Sequence, residues 1–383
     1  MKIGIIGCGD RVRGVVRQVM RQDPQVRVAA VHDPASQAVA KAREAFGAAL
    51  TVHDSEAALV QDPEIAWVFI GSYNHVHARQ AVAALDAGKH VFCEKPLATT
   101  LEDCLAMRDA VRRSGRHLFV GFTLRYAPLY RRLKQLLDDG AIGEPISLEF
   151  NETLDFGHGS FIHQDWRRHR RLAGTHLLEK CCHDVDIVNW LLGTRARRVA
   201  SFGGRDFFTP ANAHHVQRVG PRDDGAPAYH AWGSAKLNSP FTDDKDIVDN
   251  QVAIIEFDQQ VRATFHTNCH AALPERRLYI LGSEGTIRAD LLPGLIEHSR
   301  IGWEQSKTVY QMHGGGHGGG DTIMAGELIA CMHGRMAPPT SVDDGLASAV
   351  TCLGIDEAMD HGRVVDLSPA WARCDAPAEA VTP

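Results

Sequence analysis

The chain of 383 residues has no cysteine pair in CxxC spacing, and its nine cysteines are odd in number and scattered. That absence excludes a disulfide framework and a zinc ribbon, both of which need paired spacing. The cysteines read instead as small buried hydrophobes. Cys181, Cys182 and His183 stand together, but neighbouring residues rarely ligate one ion, so no metal is expected. Long apolar runs are missing too: none approaches the roughly 18 residues of a membrane span. The opening stretch MKIGIIGCGD is too short for a signal peptide and is broken by Asp10 and Arg11. The expectation is a cytoplasmic protein without a membrane partner. An excess of positive charge is also lacking. Forty-one basic against forty-seven acidic side chains leave a net charge of −6, which argues against a nucleic-acid partner. No internal repeat is present, and the one low-complexity stretch is HGGGHGGGD at 313–321.

What is present is an ordinary globular composition, 44% hydrophobic and 23% charged. A chain this long outgrows a single core, so two domains are expected. Over residues 1–122, KIGII, VRVAAVH, IAWVFIG, KHVFCE and HLFVGF are continuous, β-branched apolar runs, as in strands buried on both faces. Helix-period segments lie between them and end at glycine or a loop. The alternation predicts an α/β Rossmann domain with a parallel, doubly wound sheet. After Gly121 the apolar runs shorten and partly alternate, which predicts an α+β domain over 123–367 with a mainly antiparallel sheet. Residues 368–383 read as a C-terminal tail.

The first strand runs into Gly7-Cys8-Gly9-Asp10-Arg11-Val12-Arg13-Gly14. Glycine at 7 and 9 permits a tight turn and close approach of a pyrophosphate, while the following helix offers its N-terminal N–H groups. Asp10 and Arg11 follow within the phosphate turn. The second strand ends in Asp33, about 20 residues beyond Gly14, where an acid binds the adenosine ribose hydroxyls. Its carboxylate would repel a 2′-phosphate, and Pro34, Ala35 and Ser36 supply no cation, so NAD is favoured over NADP. Val12 replaces the usual third glycine, and Gly14 is expected to take over its close-packing role.

The stretch EKPLATT at 94–100 follows the run KHVFC and sets Glu94 and Lys95, both costly to bury, before a proline that ends the strand. Oxidising an alcohol requires a base within hydrogen-bond reach of the hydroxyl. Lys95 closes a parallel strand at the sheet edge where ligands of this fold bind. Partial burial and nearby cations lower a lysine pKa and make it a usable acid or base. A cis Lys95–Pro96 bond is expected, to turn Lys95 away from the strand end.

The glycine turn, GSYNHVHARQAVAALDAGKHVFCEKPLA at 71–98, GFTLRYAPLYRRLKQLLDDGAIGEP at 121–145 and HDVDIVNWLLG at 183–193 together resemble the Gfo/Idh/MocA oxidoreductases. The resemblance extends to about Leu367. It implies NAD as cofactor, a small carbohydrate or cyclitol substrate, and a large open sheet in the C-terminal domain that forms a homodimer or homotetramer. It makes Lys95 the residue at the reacting hydroxyl, with Glu94 positioning lysine or cofactor. Glu179 and His183 match the acid and histidine spaced four apart on one helix, though the family's acid is an aspartate and Lys180 follows it here. His183 then bonds the reacting oxygen or relays its proton, while Asp184 and Asp186 are read as helix-surface acids. Ser72, Asn74 and His77 would lie toward the nicotinamide, as would Arg125, Trp166 and Arg167. Tyr126 and Lys180 would line the substrate pocket, the run from Arg168 to Arg171 would be a solvated face or meet an anionic sugar, and His317 would cover the substrate. Asp321 is expected to cap the helix TIMAGELIACM. The implied activity is NAD-dependent oxidation or reduction of a sugar or cyclitol hydroxyl. An NAD-dependent glycoside hydrolase, working by transient oxidation, elimination and re-reduction, needs similar residues. A cofactor-binding protein without turnover would not need Lys95, Glu179 and His183 together.

Overall fold

A computed structural model describes residues 1–232, 239–303, 307–312 and 314–376. The chain forms two compact units, 1–127 with 314–350 and 370–383, and 128–313 with 351–369. These units are not contiguous in sequence, unlike the simple division expected at residue 122. The expected tail contains a helix, Ser368–Asp375, and residues 377–383 lie outside the described residues.

The first unit holds six parallel strands: β1 (Lys2–Ile6), β2 (Arg27–His32), β3 (Thr51–Val52), β4 (Trp67–Ile70), β5 (His90–Cys93) and β6 (Leu118–Val120). Their order is β3-β2-β1-β4-β5-β6, the doubly wound arrangement with its reversal between β1 and β4. Every residue of β4 is buried, which explains the unbroken apolar run: helices cover both faces of such a sheet. On one face, Val12, Val15, Val16 and Val19 of the helix Asp10–Gln22 join Met324, Leu328 and Met332 of the helix Gly320–Met332 in a single core. That shared core draws 314–350 into the first unit.

The second unit is built on nine strands: β7 (Pro145–Thr153), β8 (Ala196–Gly204), β9 (Asn250–Phe257), β10 (Arg262–Asn268), β11 (Arg277–Gly282), β12 (Gly285–Asp290), β13 (Leu295–Arg300), β14 (Thr308–Gln311) and β15 (Val365–Asp366). The order is β14-β13-β12-β11-β7-β10-β9-β8-β15. Only the central β7–β10 pair is parallel among its ladders. Alternation along β9 buries Gln251, Ala253, Ile255 and Phe257 while Val252 and Ile254 face out. Phe202, 73% exposed and paired in register with Val252, extends the outer apolar stripe. The helix Cys182–Leu192 packs against β7 and the helix Pro128–Asp138. Among the described residues, no helix is long and apolar enough to cross a membrane.

Candidate functional site

In the first unit the chain leaves β1 through Gly7, whose φ of 78° lies in the left-handed region. A Cβ on Gly7 would stand 2.4 Å from the Ser72 backbone nitrogen, so glycine is required on steric as well as conformational grounds. Gly9 precedes the helix Asp10–Gln22, and a Cβ there would meet nothing nearer than the Gly71 carbonyl at 3.6 Å. The face above this turn is therefore open to a phosphate. Asp33 follows β2, and its two carboxylate oxygens accept from the Cys8 N–H at 2.7 Å and the Ala35 N–H at 2.8 Å. The acid is thus fixed beside the glycine turn, and each oxygen keeps a second lone pair for a hydroxyl. Glycine turn, helix N-terminus and acid together fit an adenine dinucleotide. Gly14 does not pack closely: a Cβ there would have no neighbour within 4 Å. Instead Val12 fills the space beside Gly71, where a Cβ would lie 2.5 Å from Val12 Cβ. The missing third glycine is compensated by a glycine on the facing loop. Asp10 holds the buried Arg13, which also donates to the Cys8 carbonyl.

Beyond β5, Glu94 is buried and the Lys95–Pro96 bond is cis, as expected. Arg11 reaches across from the glycine turn: its Nε lies 3.2 Å from Glu94 Oε1, and other guanidinium nitrogens lie 2.6 Å from Asp321 Oδ1 and 2.5 Å from Thr123 Oγ1. Burial opposes the Arg11 charge, but Glu94 and Asp321 outweigh it and raise the guanidinium above its ordinary value. His317 lies in the glycine-rich loop with 37% of its side chain exposed. Its Nδ1 lies 2.9 Å from Asp321 Oδ2, tying the glycine-rich loop to the same network. Asp321 does not cap its helix, because Gly319 occupies that position; the carboxylate serves Arg11 and His317.

Two expected ligand contacts are corrected. His77 is wholly buried, with Nδ1 2.9 Å from the Pro96 carbonyl and Nε2 3.3 Å from that of Ser72. Burial pulls its pKa down to about 4, and it clamps the two loops together from beneath with no surface left for a cofactor. Tyr126 is 1% exposed, stacks on Phe119 and hydrogen-bonds Thr340. It belongs to the core, not to a substrate pocket. Arg125 is nearly buried and pairs with Asp344 at 2.9 Å. Asn74 is buried at the start of a short helical turn, and Ser72 is half-buried and donates to Gln80.

In the second unit Glu179 and Lys180 lie on a widened, π-helical turn, Leu177–Cys181, and His183 follows in the first turn of Cys182–Leu192. Such turns often occur at functional positions because they redirect side chains. Arg167 fixes Glu179, its Nε 3.0 Å from Oε1, while its guanidinium rests on Trp166 and reaches Asp165 at 2.8 Å. Trp166 and Arg167 thus accompany Glu179. Lys180 Nζ lies 2.9 Å from Glu152 Oε1, and Arg276 joins the same oxygen at 3.0 Å. Asp184 and Asp186 are buried, contrary to the surface reading. Asp184 accepts both Arg276 Nε and a second guanidinium nitrogen at 2.7 Å. Burial works to raise Glu152, but Arg276 and Lys180 overcome it and hold the carboxyl well below its usual range. Cys181, Glu152 and Asp184 offer ligand atoms within 4.8 Å of one another. Two cations already oppose the two carboxylates there, and burial keeps the Cys181 thiol protonated. From Arg168 to Arg171, Arg168 donates to the Gln164, Asp165 and Asp244 carbonyls and Arg170 pairs with Asp360. The sequence reading missed Glu152 and Arg276. Period-two alternation in β7, which buries Leu148, Phe150 and Glu152 together, was the available signal for the first.

Residues 1–122 match an oxidoreductase family described as an NAD-binding Rossmann fold, and residues 134–367 match its C-terminal alpha/beta domain. Inositol 2-dehydrogenase 2 of Saccharopolyspora erythraea is 38% identical over 196 residues, 50% of this chain and 54% of that protein. An inositol 2-dehydrogenase/D-chiro-inositol 3-dehydrogenase of Lactiplantibacillus plantarum is 30% identical over 226 residues, 58% and 59% of the two chains. The chain thus spans little more than half the length of these two relatives. In fold it is similar to a levoglucosan dehydrogenase solved with NADH and levoglucosan, at a TM-score of 0.78 and 21% identity, covering 96% of this chain and 99% of that one. With both domains matched, the chain belongs to the Gfo/Idh/MocA oxidoreductase family and carries its NAD-binding Rossmann domain.

Proposed function

We propose that the protein is an NAD-dependent dehydrogenase that oxidises a hydroxyl of a cyclic polyol, either a sugar, a sugar derivative or a cyclitol. The observation that carries this reading is the anchoring of Lys95 on both sides. Glu94 N–H bonds the Ile70 carbonyl at 3.0 Å and its carboxylate meets Arg11, while the Pro96 carbonyl meets His77. The ammonium stem therefore leaves a rigid stretch at the carboxyl end of β5, beside the strand-order reversal where dinucleotides bind. Rigid support of this kind suits a proton-transfer group, which must be held in hydrogen-bond geometry.

Gly7, Gly9 and the N-terminus of Asp10–Gln22 would hold the pyrophosphate of NAD, and Asp33 the adenosine ribose. The bound nicotinamide supplies the hydride acceptor. Lys95 takes the hydroxyl proton, and His183 and Glu179 hydrogen-bond the substrate, with Arg167 fixing the orientation of Glu179. The names of the inositol and levoglucosan dehydrogenases support a cyclic polyol as the substrate class.

A panel of cyclitols and pyranoses with NAD, followed by absorbance of NADH, tests the reading. Lys95→Ala should reduce turnover by roughly 10² to 10⁴-fold, the usual contribution of general acid–base catalysis, and leave NADH binding intact. Activity kept near the wild-type level would remove Lys95 from the chemistry. Release of an aglycone from a glycoside without net NADH would show redox-neutral glycoside cleavage instead.

A further inference from the structure

Close to Lys180 and Glu179 lies an aromatic surface that the mechanism above does not use. The strand β7 carries Glu152, the partner of Lys180, and runs within a few residues into the short helix Phe156–Ile162, capped by Asp155. His158 in its first turn stacks on Trp232, ring centroids 4.1 Å apart and planes inclined by 23°. Phe161 of the same helix lies under the Arg167 guanidinium at 5.6 Å, and Arg167 holds Glu179 at 3.0 Å, so the helix that carries the stacked pair adjoins the side chains expected to meet the substrate.

Trp232 is held deliberately close to the backbone. A Cβ on Gly157 would lie 2.5 Å from the indole Cδ1 and 2.7 Å from Nε1, and the Trp232 N–H bonds the Gly157 carbonyl at 3.3 Å. Only a residue without a side chain leaves room for the ring. Trp232 nevertheless remains 43% exposed, so part of the indole is open to a ligand. His158 is a neutral base for the stack: burial, and then the Lys180 charge, brings it down to about 3. An indole that is part covered and part open offers a flat apolar surface with a polar N–H at its edge, the kind of aromatic group that contributes to ligand sites.

Resting on the function proposed above, we infer that Trp232, backed by His158, is the platform on which the C–H face of a ring-shaped polyol stacks, and so determines specificity for cyclic over open-chain substrates. One face of a pyranose or cyclitol presents axial C–H groups, which pack on an aromatic face while the hydroxyls at the ring edge reach hydrogen-bonding groups. An open-chain alditol has no such face.

The test is steady-state kinetics with a cyclic substrate and an alditol, alongside NADH titration. Trp232→Ala should raise KM for the cyclic substrate roughly tenfold, about 1.4 kcal/mol, with kcat, NADH affinity and the alditol KM unchanged. Trp232→Phe should recover most of the loss. Gly157→Ala, which keeps the indole but displaces it, should raise the same KM. Unchanged KM in all three variants, with the wild type active on cyclic polyols, would overturn the platform and leave the dehydrogenase reading standing. A joint fall of kcat and NADH affinity would show a merely structural tryptophan. A wild-type protein that neither binds nor oxidises any cyclic polyol would overturn both readings.

Discussion

Arg11 in the first unit and Arg276 in the second each face two carboxylates, yet they are held differently. Arg11 lies between Glu94 and Asp321 with 32% of its side chain exposed, and Asp321 is itself partly exposed. Arg276 lies between Glu152 and Asp184 with 9% of its side chain exposed and both partners almost sealed. The first arrangement leaves a cation at the mouth of a phosphate-binding turn, where water can solvate it and a ligand can approach. The second takes Arg276, Glu152 and Asp184 out of solvent, with Lys180 largely covered beside them, and ties down the widened turn that bears Glu179 and the helix start that bears His183. On the function proposed above, a guanidinium between two acids would face the cofactor in one unit and serve the architecture in the other, and exposure is what separates the two.

Removing Arg276 should break the comparison most severely. Arg276→Met leaves Glu152 and Asp184 buried with only Lys180 to oppose them, and stripping one member from a buried ionic group costs about 3–5 kcal/mol. Urea unfolding should show that loss, with a variant that folds only at low temperature. A stability within about 1 kcal/mol of wild type would mean that water already reaches the cluster.

Arg11→Met should show a smaller effect of another kind. Water can reach this network, so the stability loss should be about 1 kcal/mol, while the dissociation constant for NADH should rise roughly tenfold. Fluorescence titration with NADH and urea unfolding on the same samples separate the two quantities. Wild-type NADH affinity in this variant would show that Arg11 is architectural after all, and the contrast with Arg276 would fall.

The difference between the units also governs what could be read from sequence. The parallel sheet was legible because both of its faces are covered, which leaves runs such as Trp67–Ile70 apolar throughout. The second sheet was legible through alternation, clearest in β9. Within the candidate site, Gly7, Gly9, Asp33 and Glu94-Lys95-Pro96 are local patterns, and local geometry determines them. In the Glu152–Arg276–Asp184 cluster, Arg276 meets acids 92 and 124 positions away, and no short window contains it. His77 and Tyr126 failed for the opposite reason. They stand inside a recognisable stretch, but helix and loop geometry turn their rings inward, so proximity to the motif in sequence did not give proximity to a ligand. Val12 shows the same limit. Its tolerance depends on Gly71, on a different loop.

Asp356 offers the mildest and sharpest probe of the buried side of the comparison. Its carboxylate accepts from Thr175 Oγ1 and, at 3.2 Å, from Gln251 Nε2, and Thr175 in turn accepts the Leu178 N–H at 3.1 Å at the start of the widened turn. No cation hydrogen-bonds Asp356 among the described residues, and burial raises its pKa to about 7, opposed in part by those two donors and by the charge of Arg170. The folded value lies above the unfolded one, near 3.9, so the folded state binds the proton more tightly. The stabilisation from that proton is complete below about pH 4 and is lost as the pH rises through about 7. Asp356→Asn keeps the size and hydrogen-bonding capacity but cannot titrate. Between pH 5 and 7 the wild type should therefore lose about 2 kcal/mol more stability than the variant, and above pH 7 the variant should be the more stable. Parallel stability profiles from pH 4 to 8 would show that Asp356 stays ionised in the fold. Burial without a cation would then be tolerated here, and exposure alone could not explain why Arg276 is needed.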